Sequence, residues 1–422
     1  MIRFIYRGGT ELAGPLLRRH LAARAINGKE EPARLNERFG LAGLPRPAGR
    51  LGWLHAASVG ETQSLLPLIA ALTAREPGLH LLLTTGTVTA ARLIARNQPA
   101  ATLHQYLPLD RRAWVTRFLD HWRPDFALWV ESELWPNLLG AAQERGLPMA
   151  LVNGRMSAPS LARWRWAGSL IRPLLAGFAV VLAQDEIQAG RLGALGARRP
   201  QALGNLKFAA EPLPADAAGL AGLRQATAGR GLWLAASTHP GEEAIVARAH
   251  QALHSRRPDL LTIIVPRHAE RGGAIAAELT ASGLAVTRRS AGEPITRSTQ
   301  IYLADSMGEL GLFYRLAPVA LVAGSYRWQG HNPIEPALLG GAVLSGPQVA
   351  SFQEIYDRMT ASNAAAIVTE SELAAAVDRL LDDPVSAGRK AQAFAEREAA
   401  GILERVLVAL EPVLGGSAGA RT

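Results

Sequence analysis

Carboxylates, cations and glycines gather in this sequence directly after short apolar runs. "SVGE" follows residues 51–57 and carries Glu61. "ESELWPN" starts at Glu131 after "FALWV", and "GNLKF" carries Lys207. Further on, "STHPGEE" follows "LWLAA", "VPRH" with Arg267 and His268 follows "LTII", and "DSMGEL" with Met307, Gly308 and Glu309 follows "IYLA". "GSYRWQGHNPIEP" follows "LVA" and holds Asn332, Pro333, Ile334 and Glu335. These residue types suit a nucleotide sugar. Arg267 is a fixed cation for paired phosphate contacts. Backbone amides at Gly308 and at Gly324–Ser325 can hold phosphate. Glu335 could accept from both hydroxyls of a ribose, and Glu61 could serve as a general base.

Each cluster also has a plain local reading. Ser58 and Glu61 stand three apart and make a capping box, so Glu61 is open to either role, cap or base. Asn332-Pro333-x-Glu335 reads as an N-cap, a proline at the first helical position and a capping-box glutamate. Ser306 could cap the helix of "DSMGEL", and Arg267 and His268 could be surface residues. Taken together the clusters point further, because strand-end residues of doubly wound sheets line one crevice.

The elements that must position these groups alternate. Strands are predicted at 51–57, 79–85, 102–107, 125–131, 148–153 and 178–184, with helices at 61–75, 88–97, 111–121, 133–145, 158–175 and 186–194. Residues 204–219, with Pro212 and Pro214, show neither period and read as a linker. Strands then resume near 231–237, 260–265, 284–288, 300–304, 318–323, 342–344 and 365–368, and a helical run covers 387–411. Alternation of this kind predicts parallel sheets covered on both faces. Two Rossmann-like halves follow, with a ligand cleft between them. The boundaries are 1–211 and 212–386, with a helical segment over 387–422 and a membrane-associating segment within 1–40.

Composition removes several classes. The 422 residues include no cysteine, which rules out disulfides, thiolate metal sites and a cysteine nucleophile. The net charge is +9, carried almost wholly by arginine, since lysine occurs only at Lys29, Lys207 and Lys390. A basic balance fits nucleic acid, an anionic membrane or an acidic substrate. RNA-module signatures are missing, so nucleic acid is the weaker reading. G-x-G-x-x-G, the P-loop and H-E-x-x-H are absent too, and no metal ligand set is visible; metal independence is expected. No stretch near the N-terminus reaches the roughly 18 apolar residues of a membrane span. Residues 11–25 predict a basic amphipathic helix, either packed on the domain or drawn to an anionic membrane.

In order and number, "HAASVGET", "ESELWPN", "VNGRMSAPS", "GNLKF", "ASTHPGEE", "VPRHAER", "DSMGEL" and "GHNPIEP" resemble the Kdo (3-deoxy-D-manno-octulosonic acid) transferases of lipopolysaccharide assembly. The similarity runs from about "RLNERFG" to "GPQVASFQEI". It implies a GT-B fold, CMP-Kdo as donor and the tetraacyl lipid A precursor as acceptor, worked on at the cytoplasmic face of the inner membrane without a separate cofactor. It assigns Glu61 as general base and Glu131 and Lys207 to transition-state stabilisation. Arg267, His268, Met307, Gly308, Glu309 and Asn332 through Glu335 would bind CMP. The chain departs from the family pattern at Ala323 and Gln329, where glycine is usual, and at Gln348, where histidine is usual. Another nucleotide-sugar enzyme of GT-B type, such as a UDP-sugar transferase or epimerase, is the alternative within enzymes. A basic membrane- or nucleic-acid-binding protein without catalysis is the alternative outside them.

Overall fold

The computed structural model describes residues 2–97, 99, 101–209 and 211–415. The chain forms two units, Met1–Ala210 with Ala399–Thr422, and Glu211–Glu398. In the first, strands β1 (Leu51–Ala56), β2 (His80–Thr85), β3 (Thr102–Tyr106), β4 (Phe126–Val130), β5 (Met149–Gly154), β6 (Val180–Ala183) and β7 (Gln201–Ala202) form one sheet in the order β3-β2-β1-β4-β5-β6-β7. Every neighbouring pair is parallel. The strands read as continuous apolar runs because helices cover both faces. All six residues of β1 and all five of β4 are buried. Trp53 of β1 meets Trp129 of β4 edge-on, with ring centroids 5.2 Å apart. Gly52 admits no side chain, since a Cβ there would lie 2.3 Å from the Phe126 ring.

The second unit repeats this build. Strands β8 (Leu232–Thr238), β9 (Leu261–Pro266), β10 (Val286–Arg288), β11 (Ile301–Leu303), β12 (Val319–Val322), β13 (Ala342–Ser345) and β14 (Ala365–Ile367) run parallel in the order β10-β11-β9-β8-β12-β13-β14. Strand order reverses between β1 and β4 in one sheet and between β8 and β12 in the other. Those are the switch points where such sheets open a crevice at the strands' carboxyl ends. Each unit is Rossmann-like, the build expected for GT-B.

Several local expectations change. The basic helix over 11–25 is two helices, Ile2–Leu12 and Gly14–Ile26, because Gly14-Pro15 interrupts the first and starts the second. The helix over 158–175 is likewise divided into Ala158–Trp166 and Gly168–Ala176. The stretch 204–219 is only in part a linker. It contains a 3₁₀ turn, Leu206–Ala209, and the start of helix Ala217–Ala226, whose first amides bond the Asp216 side chain. The helical run over 387–411 is also split: helix Pro384–Ala399 lies almost wholly within the second unit, and helix Ile402–Leu414 packs on β4, β5 and β6 of the first. The final residues, 416–422, lie outside those described.

Candidate active site

In the first unit the strand β1 ends at Ala56, and helix Val59–Arg75 starts three residues later with Ser58 as its N-cap. Glu61 Oε2 accepts from the Ala57 amide at 2.8 Å, and Oε1 accepts from the Ser58 hydroxyl at 2.9 Å. The Glu61 amide donates back to Ser58 Oγ at 3.4 Å. The capping box is therefore real, with its carboxylate one residue further back than the usual N-cap amide. It does not hold Glu61 in the ordinary carboxylate range. Burial pushes its pKa up from 4.5 to about 7, and the Glu131 charge adds to the rise, against the two hydrogen bonds.

Glu131 closes β4 with φ 56°, a left-handed conformation that costs a non-glycine residue energy and persists where surroundings enforce it. Its Oε1 accepts from Lys207 Nζ at 2.9 Å, and both side chains are largely shielded from solvent. Lys207 also lies beside the start of the Glu61 helix, since a Cβ on Gly60 would be 4.0 Å from its Cε. The turn that carries Lys207 is tied down by two asparagines. Asn153 Oδ1 accepts from the Leu206 amide, and Asn205 Oδ1 from the Lys207 amide, each at 3.0 Å. Asn153 itself has φ 56° at the end of β5. The structure thus brings Glu61, Glu131 and Lys207 together, and adds Asn153 as their support.

In the second unit Arg267 is exposed after β9, its amide bonded to Thr238 O at 3.0 Å. Its charge lowers the pKa of His239, His331 and Glu335, which places all four in one neighbourhood. Burial nevertheless pushes the Glu335 carboxyl up to about 7, against the Asn332 hydrogen bond and Arg267. Burial likewise lowers His331 to about 4 and lowers His239, and the Nε2 atoms of the two rings lie 3.0 Å apart. Helix Ile334–Leu338 starts one residue later than expected, with buried Pro333 rather than Asn332 as its N-cap and no side-chain cap bond; Asn332 Oδ1 still accepts from the Ile334 amide at 3.1 Å. His268 and Met307 are exposed, and Gly308 takes φ 86°. Glu309 is engaged by Arg289 through both carboxylate oxygens and by the Ser306 hydroxyl, and its pKa is lowered, with Arg289 the main cause. Ser306 therefore serves the Glu309 carboxylate, and helix Leu310–Leu316 has no side-chain cap.

Two glutamates without an assigned role organise these loops. Glu242 is fully buried and accepts from three amides: His239 at 2.9 Å, Gly324 at 2.6 Å and Tyr326 at 2.9 Å. The Gly324 amide is consequently not available to phosphate, contrary to the sequence reading. Gly324 has φ 69°, and a Cβ there would fall 2.6 Å from the His331 ring. Its neighbour Ala323 is buried without a positive φ, so the departure from glycine is accommodated. Glu243 accepts from Thr238 Oγ1 and Arg271 Nη1, both at 2.9 Å, and ties the β8 and β9 loops together. Acids in a helix's first turn gave no sign of partners 82 and 84 residues away. Among the described residues no group of three or more His, Asp or Glu could hold a metal ion.

A family profile described as 3-deoxy-D-manno-octulosonic-acid transferase (kdotransferase) matches residues 33–210. The chain is 36% identical over 396 residues to a probable mitochondrial 3-deoxy-D-manno-octulosonic acid transferase of Arabidopsis thaliana, covering 90% of this chain and 88% of that one. It is 38% identical over 398 residues to the 3-deoxy-D-manno-octulosonic acid transferase of Bordetella pertussis, covering 90% and 91%. Among solved structures, the UDP-GlcNAc 2-epimerase of Neisseria meningitidis bound to UDP-GlcNAc aligns with a TM-score of 0.61 over 86% of this chain and 100% of that one. At 12% identity that likeness concerns the fold alone. With more than a third of its residues shared along nine-tenths of its length, the chain is a glycosyltransferase that belongs to the 3-deoxy-D-manno-octulosonic-acid transferase family.

Proposed function

We propose that the protein transfers Kdo from CMP-Kdo to the tetraacyl lipid A precursor with inversion at the anomeric carbon. A hydroxyl of the acceptor attacks that carbon, the bond to the CMP phosphate breaks, and CMP leaves. Glu61 takes the hydroxyl proton. The observation that carries this reading is its carboxyl, held near pH 7 by burial rather than neutralised by a cation. A base is most effective when its pKa lies near the working pH. Lys207, fixed on Glu131, supplies positive potential close to the reacting atoms. Arg267 offsets the charge of the departing phosphate, and Glu335 accepts from the ribose hydroxyls. Mass spectrometry of the lipid A precursor after incubation with enzyme and CMP-Kdo tests the reading. A mass gain of one or more Kdo residues is expected. Unchanged precursor, with turnover of UDP-GlcNAc instead, would favour the epimerase alternative.

The lipid acceptor calls for contact with a membrane, which this proposal places at the cytoplasmic face of the bacterial inner membrane. No helix among the described residues is long and apolar enough to cross a membrane. Phe4, Ile5, Leu12 and Leu16 on the first two helices are strongly exposed, and Arg19 beside them is exposed as well. Apolar side chains with nearby arginines suit peripheral attachment to anionic lipid. Such binding weakens with salt.

A further inference from the structure

Trp328 stands in the loop after β12, and its side chain is open to solvent, with 56% of the residue exposed. The backbone around it is pinned. Glu242 accepts from the Tyr326 amide at 2.9 Å, the Gln329 carbonyl accepts from the Ser351 amide at 2.9 Å, and the Gly330 amide donates to Gly324 O at 2.8 Å. Gly330 has φ 77°, and a Cβ there would lie 3.0 Å from the Val349 Cα, so the turn out of this loop suits glycine. The indole packs against the His239 ring, with centroids 4.9 Å apart and planes at 38°. Arg327, next in the chain, is spent on Glu370 at 3.0 Å. A large aromatic ring is thus presented to solvent by a fixed loop. Groups ordered in advance spare a ligand the cost of ordering them.

His239 connects this indole to the proposed nucleotide site. Its Nε2 lies 3.0 Å from that of His331. Asn332 follows His331 and donates to Glu335 Oε1 at 3.3 Å. The Arg267 amide bonds Thr238 O, one residue before His239, and the Arg267 charge acts on His239, His331 and Glu335 alike. Glu335, proposed for the ribose, therefore joins this row at its His331 end, and Trp328 joins it at its His239 end. A nucleotide with its ribose on Glu335 and its phosphate at Arg267 directs the group beyond the phosphate, the transferred sugar, towards the indole. The chemistry matches. A sugar ring presents a face of C–H groups, and taking that face out of water onto an aromatic ring is favourable.

We propose that Trp328 determines donor specificity, its exposed indole stacking on the C–H face of the sugar that the nucleotide carries. The inference rests on the transferase reading above. Wild type, Trp328→Ala and Trp328→Phe are compared as full chains. CMP lacks the sugar, so in calorimetric titration all three should bind it within about twofold of one another, which also shows that the second unit is folded. With acceptor saturating, kcat/KM for CMP-Kdo should fall roughly tenfold in Trp328→Ala and return to within about threefold of wild type in Trp328→Phe, which keeps an aromatic face. CMP affinity that falls along with kcat/KM would put the indole on the nucleotide and overturn the proposal. So would a kcat/KM within about twofold of wild type in Trp328→Ala, or a Phe variant as impaired as the Ala variant. A wild-type enzyme that binds CMP and transfers no Kdo would instead overturn the transferase reading, so the two failures are distinct.

Discussion

The two units place carboxylates at equivalent strand ends and use them in different ways. Glu61, after the first strand of its sheet, has two hydrogen bonds and a second carboxylate nearby, and its pKa rises to about 7. Glu242, after the first strand of the other sheet, bonds three backbone amides from two loops. Glu309 is held low by Arg289. The second unit uses these acids as connectors that shape the loops of the proposed nucleotide site. The first unit keeps one whose charge is unfavourable, and that is the condition under which a carboxylate competes for a proton. The distinction lies in partners and burial, since both glutamates sit in the first turn of a helix.

The same substitution should act oppositely in the two places. Glu61→Gln should reduce turnover by roughly 10²–10⁴-fold in a protein that still folds and binds CMP. Its side chain can still accept from the Ala57 amide and can donate to Ser58 Oγ, so the cap survives with one bond reversed. The sign of the stability effect follows from the shift. Glu61 has an ordinary value of 4.5 and a folded value of about 7, so the folded state binds more protons between them. Its contribution to stability is full below 4.5 and lost as pH rises through about 7. Glutamine escapes that loss, so the variant should melt at or above wild type at pH 8. Calorimetry across pH checks this. Glu242→Gln should do the reverse. Its new NH₂ faces a backbone N–H, and the fold should lose about 2–4 kcal/mol at neutral pH, read from denaturant midpoints.

Smaller effects sharpen the contrast further. Arg267→Ala should weaken CMP binding by about 1.5–3 kcal/mol in isothermal titration, the range for a charged hydrogen bond. Unchanged affinity there and in Glu335→Ala would remove the proposed nucleotide site. Around Glu61 two substitutions should move the acidic limb of the pH–rate profile in opposite directions by about half a unit to one unit. Glu131→Gln removes a repelling charge and lowers the limb. Lys207→Met leaves Glu131 uncompensated and raises it. A shift in the same direction for both would show that Glu61 does not sense this pair.

Much of this arrangement was legible in the sequence, because buried parallel strands advertise themselves as apolar runs such as "FALWV". The strand ends then had to carry the polar clusters, and Glu61, Glu131 and Lys207 do meet. Other features depended on partners distant in sequence. Lys207 lies in a stretch that reads as a linker, and its turn is fixed partly by a distant partner, Asn153, 53 residues back, which accepts from the Leu206 amide. Glu242 looks like any first-turn acid until Gly324 and Tyr326 return to it. Trp328 reads as one more loop aromatic until His239, far back in the sequence, packs against it. The cap-or-base question at Glu61 was undecidable locally, because burial sets the answer and sequence spacing does not report burial.

The most direct test is the pH dependence of the single-turnover rate of wild-type enzyme with saturating CMP-Kdo and acceptor. With Glu61 as base, the rate should fall tenfold per unit below an apparent pKa near 7, the value to which its carboxyl is pushed. A rate that stays flat from about pH 5 to 8 with chemistry limiting would contradict the assignment.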